Sequence, residues 1–106
     1  MKDTHSRTVD SDRMAVLDVL RSYKLQHPDA DIKVKRQNNV SLKIRVIDKD
    51  FKAKSLIERE SAIWTLLETL PEDVQAQITF VLLLAPAEVK KSFANMDFEH
   101  PIRSKF

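Results

Sequence analysis

The chain contains no cysteine and no glycine, and its aromatic side chains are limited to five phenylalanines, one tyrosine and one tryptophan. Without cysteine, this chain alone supplies no disulfide, no thiolate chemistry and no cysteine-ligated zinc or iron–sulfur cluster. Without glycine, the backbone lacks the residue that phosphate-cradling loops and the dinucleotide fingerprint use for tight turns and close approach. A solitary P-loop ATPase or Rossmann enzyme is therefore not expected. No apolar run approaches the ~20 residues that a membrane-crossing helix needs. The opening stretch "MKDTHSRTVDSDR" lacks the apolar centre of a secretory signal. A cytoplasmic protein with no membrane partner is the expectation.

What is present suits one small domain. The 106 residues, 42% of them hydrophobic, are enough to bury roughly two thirds of the unfolded surface around a single core. Net charge is only +2, but it is unevenly spread. Between Lys33 and Lys54 eight basic residues (Lys33, Lys35, Arg36, Lys43, Arg45, Lys49, Lys52, Lys54) face only Asp48 and Asp50. From Ser55 to Phe93 three basic residues (Arg59, Lys90, Lys91) face six acidic ones. The sequence is electrically polarised.

Residues 1–10 are polar without apolar periodicity and read as a disordered tail. Ser11 is placed to cap a helix with Val16, Leu17, Leu20 and Tyr23 on its inward stripe, ending at His27-Pro28. "DIKVKRQNNVSLKIRVI" then alternates with period two, the mark of a β-hairpin. Its apolar residues share a face if Val34 pairs with Val40 and Ile32 with Leu42 around a three-residue loop, with Asn38 or Asn39 in the left-handed conformation. Lys33, Lys35, Ser41, Lys43 and Arg45 fall on the other face, which reads as a solvated basic surface.

Ser55 and Glu58 form a capping box opening a second helix, with Leu56, Ile63, Leu66, Leu67 and Leu70 as its buried stripe. Trp64 lies off the centre of that stripe, and Pro71 stops the helix and begins a short helical turn. "ITFVLLLAP" reads as a strand buried on both faces, inside the sheet and parallel to Val40–Ile47 through a right-handed crossover. "AEVKKSF" closes the domain as a short helix, which sets its limits at residues 11–93 and leaves 94–106 as a tail. The resulting class is α+β, a three-stranded mixed sheet with helices on one face in the order α-β-β-α-α-β-α.

Constellations for catalysis are not apparent. His5, His27 and His100 are scattered between the two tails and one helix end, with no convergence on a metal. Ser41, Ser55, Ser61 and Ser92 have no evident histidine partner, and Glu58 and Glu60 point to different sides of their helix. No catalytic residue, metal site or cofactor is expected, and an enzyme is not.

The element order and the segment "FKAKSLIERESAIW" resemble the BolA family, whose fold is of the type II KH-like kind. The family pattern is Phe, any residue, Gly, five residues, then Arg-His-Arg and a hydrophobic-aromatic pair. Phe51, Arg59, Ile63 and Trp64 fall on it without a gap, and "LLAPAEV" resembles the family's proline-x-glutamate pattern after the last strand. The similarity covers about Met14 to Val89. Ala53 replaces the family glycine, and Glu60-Ser61 replaces its His-Arg. The family histidine that helps hold an iron–sulfur cluster shared with a monothiol glutaredoxin falls near Phe80 or Leu82, and the "RQNN" loop offers no histidine or cysteine either. The resemblance thus implies the fold and a non-enzymatic binding or regulatory role, while an iron–sulfur partnership with a glutaredoxin is not expected.

Two partner classes follow. Nucleic acid would meet the basic sheet face, through Lys33, Lys35, Lys43 and Arg45 with Lys49, Lys52 and Lys54. It would do so without aromatic stacking platforms and without a Gly-x-x-Gly clamp. The alternative is a protein-interaction module, docking through the exposed part of the central helix, with Arg59 and Trp64 as partner-binding residues.

Overall fold

The computed structural model describes residues 9–101. Helix α1 (Val9–Gln26) is followed by strands β1 (Asp31–Asn38) and β2 (Ser41–Ile47) and a 3-10 turn at Lys49–Ala53. Helix α2 (Leu56–Leu67), helix α3 (Glu72–Gln75) and strand β3 (Ile78–Leu84) come next, then a 3-10 turn at Pro86–Lys91 and helix α4 (Phe93–Glu99). The class is α+β with a three-stranded mixed sheet, as the patterning predicts.

The strands lie in the order β1-β2-β3, antiparallel between the first two and parallel between β2 and β3. Val16, Leu20 and Tyr23 of α1 and Ile63 and Leu67 of α2 close over Val34, Leu42, Ile44, Val46 and Leu83 to make the core, with Phe51 fully buried among them. The capping box that opens α2 is formed in both directions, Ser55 Oγ accepting from the Glu58 N–H and Glu58 accepting from the Ser55 N–H.

Several finer expectations are corrected. The hairpin keeps its parity but pairs four residues further out, Val34 with Ile44 and Ile32 with Val46. Strand β1 runs on through the polar residues to Asn38, and a bulge between Arg36 and Asn38 absorbs the odd residue. Among the described residues none has positive φ. Instead the Val40 N–H donates to Asn38 Oδ1, and Arg36 Nη1 donates to the Asn38 and Asn39 carbonyls, closing the turn from the side. Strand β3 lies at the edge rather than inside the sheet. Its apolar run reflects cover on both faces, not a central place.

The stretch read as a C-terminal tail contains α4. Ser92 caps it by accepting from the Asn95 N–H, and its Phe98 is buried. Whereas α1 and α2 pack on the core face, α4 lies across the other face. At the opposite end, α1 begins at Val9 and not after a Ser11 cap. Asp12 in that first part is buried and accepts from Gln77 Nε2 at 2.7 Å, tying α1 to the start of β3. The remainder of both predicted tails lies outside the described residues.

Candidate functional site

Residues at odd positions of β2 point away from the core, so Lys43 and Arg45 share a face with Lys33 and Lys35 of β1. Cross-strand pairing sets Lys33 opposite Arg45 and Lys35 opposite Lys43. Like charges directly opposite one another repel, and α4 supplies the compensation. Arg45 is 5% exposed. Its Nη1 donates to Asn95 Oδ1 at 3.0 Å and pairs with Glu99, its Nη2 lies 3.5 Å from Asp31, and its guanidinium sits 5.0 Å from the Phe98 ring centre. The Arg45 hydrogen bond holds the Glu99 carboxyl below its ordinary range.

Lys35 Nζ donates to the Phe98 carbonyl and lies 4.8 Å above that ring. Lys43 Nζ lies 5.5 Å from the Phe80 ring centre and 3.8 Å from Asp97. The expected open basic sheet face is therefore largely a packed interface between the sheet and α4. Patterning missed this because Asp97, Phe98 and Glu99 show no helical repeat within so short a segment. The one legible signal was the alternation of acid and aromatic in "DFE" opposite alternating cations.

The other cations named from sequence are dispersed. Lys49 pairs with Asp29 at 2.9 Å, and that contact raises the lysine pKa and lowers the carboxyl's. Lys52 and Lys54 are exposed beside the start of α2.

Arg59 is buried and occupied. Its Nε donates to the Lys54 carbonyl at 3.2 Å, its Nη1 to the Leu83 carbonyl at 3.1 Å, and both terminal nitrogens to Glu88 at 2.7 and 3.0 Å. Glu88 Oε1 also accepts from the Ala85 N–H at 2.9 Å. These bonds, Arg59 first, pull the Glu88 carboxyl down to about 2. The arrangement ties α2 to the end of β3 and the turn after it, and leaves Arg59 little to offer a partner.

Leu56, expected in the buried stripe of α2, is 62% exposed, and Ile57 beside it is 79% exposed. Arg59 takes the inward position at that end of the helix, so the stripe ends one turn early. Trp64 is half-buried and packs against the core.

One cluster departs from the expectation that His27 stands apart from other ligating groups. His27 Nδ1 lies 2.8 Å from Asp50 Oδ2 and 3.1 Å from Asp48 Oδ2, and these donor atoms lie within 4.8 Å of one another, a spacing from which a cation can be held. The His27 ring stacks on Tyr23 at 4.1 Å. Buried Asp48 is already engaged, accepting from the Tyr23 hydroxyl and, through Oδ1, from the Asp50 N–H. Burial, aided by Asp48, pushes the Tyr23 phenol above its usual range. The cluster thus staples the end of α1 to the turn after β2. A histidine 21 residues before an aspartate carries no local motif, which is why it was not found.

The sheet order and the α1–α2 layer are those of a small α+β domain with a three-stranded mixed sheet. Its particular form is BolA-like: the structure is similar to BolA1 from Arabidopsis thaliana, with a TM-score of 0.54 at 12% identity over 73% of this chain and 94% of that one. It also matches the BolA domain of SufE1 from Arabidopsis thaliana, with a TM-score of 0.49 at 21% identity over 74% of this chain and 96% of that domain. No protein-family model matches the sequence, and no curated protein matches it.

Proposed function

We propose that the chain is a non-enzymatic binding domain that docks a protein partner through the outward face of α2. The observation that carries this reading is the pair Leu56 and Ile57, two large apolar side chains more than half exposed on the first turn of a helix whose other apolar residues are buried or half-buried. They contribute little to the core. Ile57, Ser61 and Trp64 follow at i, i+4 and i+7, so they form one stripe along the helix. Exposed Lys52 and Lys54 stand just before it. A partner with an apolar groove and an acidic rim matches that surface in shape and charge.

Chemistry gains no comparable support. Ser55 and Ser92 cap helices, and the donors of the His27 cluster bond one another. Nucleic-acid binding across the sheet requires α4 to leave, because Arg45 lies beneath it and is paired with Glu99.

Capture from a cell lysate with the full chain, followed by purification of the captured protein and titration calorimetry, tests the proposal. Replacing Leu56 and Ile57 together with glutamate should weaken that binding by more than about thirtyfold, the scale of an interface hot spot. Thermal stability should be little changed, since both side chains are exposed. Unaltered affinity in the double variant would overturn the α2 docking face.

A further inference from the structure

Just beyond the end of α1, one imidazole faces two carboxylates. His27 Nδ1 stands 2.8 Å from Asp50 Oδ2 and 3.1 Å from Asp48 Oδ2, and the three ligating atoms lie within 4.8 Å of one another. A ring nitrogen carries at most one proton, so negative charge stays in excess here whether the imidazole is neutral or cationic. The neighbouring lysines do not cancel it. Lys49 is paired with Asp29 at 2.9 Å, and Lys24 donates to the Ala30 carbonyl. Among the described residues, no lysine or arginine forms an ion pair with Asp48 or Asp50.

The bonds already made leave ligating positions open. Each carboxylate oxygen has about two acceptor positions. Asp48 Oδ2 takes the Tyr23 hydroxyl and Oδ1 takes the Asp50 N–H, so Oδ2 keeps a lone pair toward His27, while the Asp50 carboxylate is hydrogen-bonded to His27 alone among the described residues. The Tyr23 and Asp50 donors to Asp48 are the outer contacts that orient a metal-binding side chain. Tyr23 also lies flat on the imidazole, 4.1 Å between ring centres and 9° between planes. The backbone is fixed as well, the His27 N–H donating to the Tyr23 carbonyl and the Asp48 N–H to the Leu84 carbonyl, each at 3.0 Å. The ligating atoms are thus held from α1 and β3 before any ion arrives.

We infer that His27, Asp48 and Asp50 form a site for a first-row divalent cation, zinc before manganese, with water completing the ion's shell. Bonds of about 2.1 Å set neighbouring donors about 3.0 to 3.4 Å apart, close to the two nitrogen–oxygen separations seen here. The ion takes the Nδ1 lone pair in place of a proton. One imidazole beside two carboxylates selects against magnesium and calcium, which prefer oxygen throughout. Zinc stands above manganese in the general order of affinity. Asp48 is buried, whereas Asp50 is exposed and His27 half-buried, so one side stays open for entry and for water. The bound ion cross-links the end of α1 to the turn after β2. The inference does not rest on α2 docking, since none of the three residues belongs to that surface.

Calorimetric titration of the chelator-treated full chain with zinc, manganese and magnesium chlorides, alongside amide and imidazole NMR spectra, tests it. One zinc per chain is expected, with saturable shifts at His27 and Asp50, weaker manganese binding and no response to magnesium at the same concentration. Asp50→Asn, at an exposed position, should preserve the amide spectrum of the fold and weaken zinc binding at least about tenfold, the least that loss of an outer contact costs. His27→Gln should weaken it as much or more, and His5→Gln combined with His100→Gln should change nothing. No saturable zinc binding, unaltered affinity in Asp50→Asn, an equal response to magnesium, or loss of binding in the His5/His100 variant would overturn the assignment.

Discussion

Glu88 shows how a single residue joins distant parts of this chain. Its carboxylate takes both terminal nitrogens of Arg59 and the Ala85 N–H, so α2 and the segment after β3 meet at one point. Its folded-state pKa, about 2, lies below the ordinary carboxylate value of 4.5. The depressed group stabilises the fold fully above that ordinary value, and the contribution disappears as pH falls through about 2. Because the Glu88 side chain is 43% exposed, solvent screening limits the effect to about 1 kcal/mol. Glu88→Gln should therefore lower the urea midpoint at neutral pH and flatten the decline of stability between pH 4.5 and 2. A variant with an unchanged acid limb would contradict this role. From sequence Arg59 reads as a partner-binding residue, whereas its guanidinium is buried against Glu88 and the Leu83 carbonyl, because burial depends on neighbours in space that the turn "ERE" does not encode.

At the scale of elements, α4 decides what the sheet presents. Phe98 is its anchor, packed on Phe80 and beneath Lys35 and Arg45. Phe98→Ala removes a fully buried ring, a change that costs about 3 kcal/mol or more. A seven-residue helix has little intrinsic stability to set against that loss. Hydrogen exchange should show the Phe93–Glu99 amides losing protection while β1, β2 and β3 keep theirs, since Phe98 lies outside the core cluster. Loss of protection throughout the sheet would show instead that α4 is part of the core.

The long elements were legible because each repeats one signal: period two in β1 and β2, an apolar stripe in α1, a capping box and a closing proline in α2. Helix α4 was not, since seven residues give too few turns for periodicity to emerge. The hairpin register was misjudged for a related reason. Parity fixes which face a residue occupies, but the turn position depends on Arg36 reaching the Asn38 and Asn39 carbonyls, a contact between side chain and backbone that alternation does not encode.

For the molecule as a whole, polarity along the sequence does not become polarity of the surface. Arg45, and in part Lys35 and Lys43, are folded under α4, while Leu56 and Ile57 remain outside on the opposite layer. Of the predicted site residues, the structure gathers the sheet cations into one interface, sets Lys52 and Lys54 beside the α2 stripe, and commits Arg59 to the fold. The exposed Leu56 and Ile57 support the docking surface proposed on α2. Its most direct test is site-specific photocrosslinking in lysate from two positions of the full chain, 57 on α2 and 33 on the exposed edge of the basic face. The account predicts a discrete protein adduct from position 57 and no nucleic-acid adduct from position 33. Nucleic acid captured from position 33, with nothing captured from position 57, would contradict it.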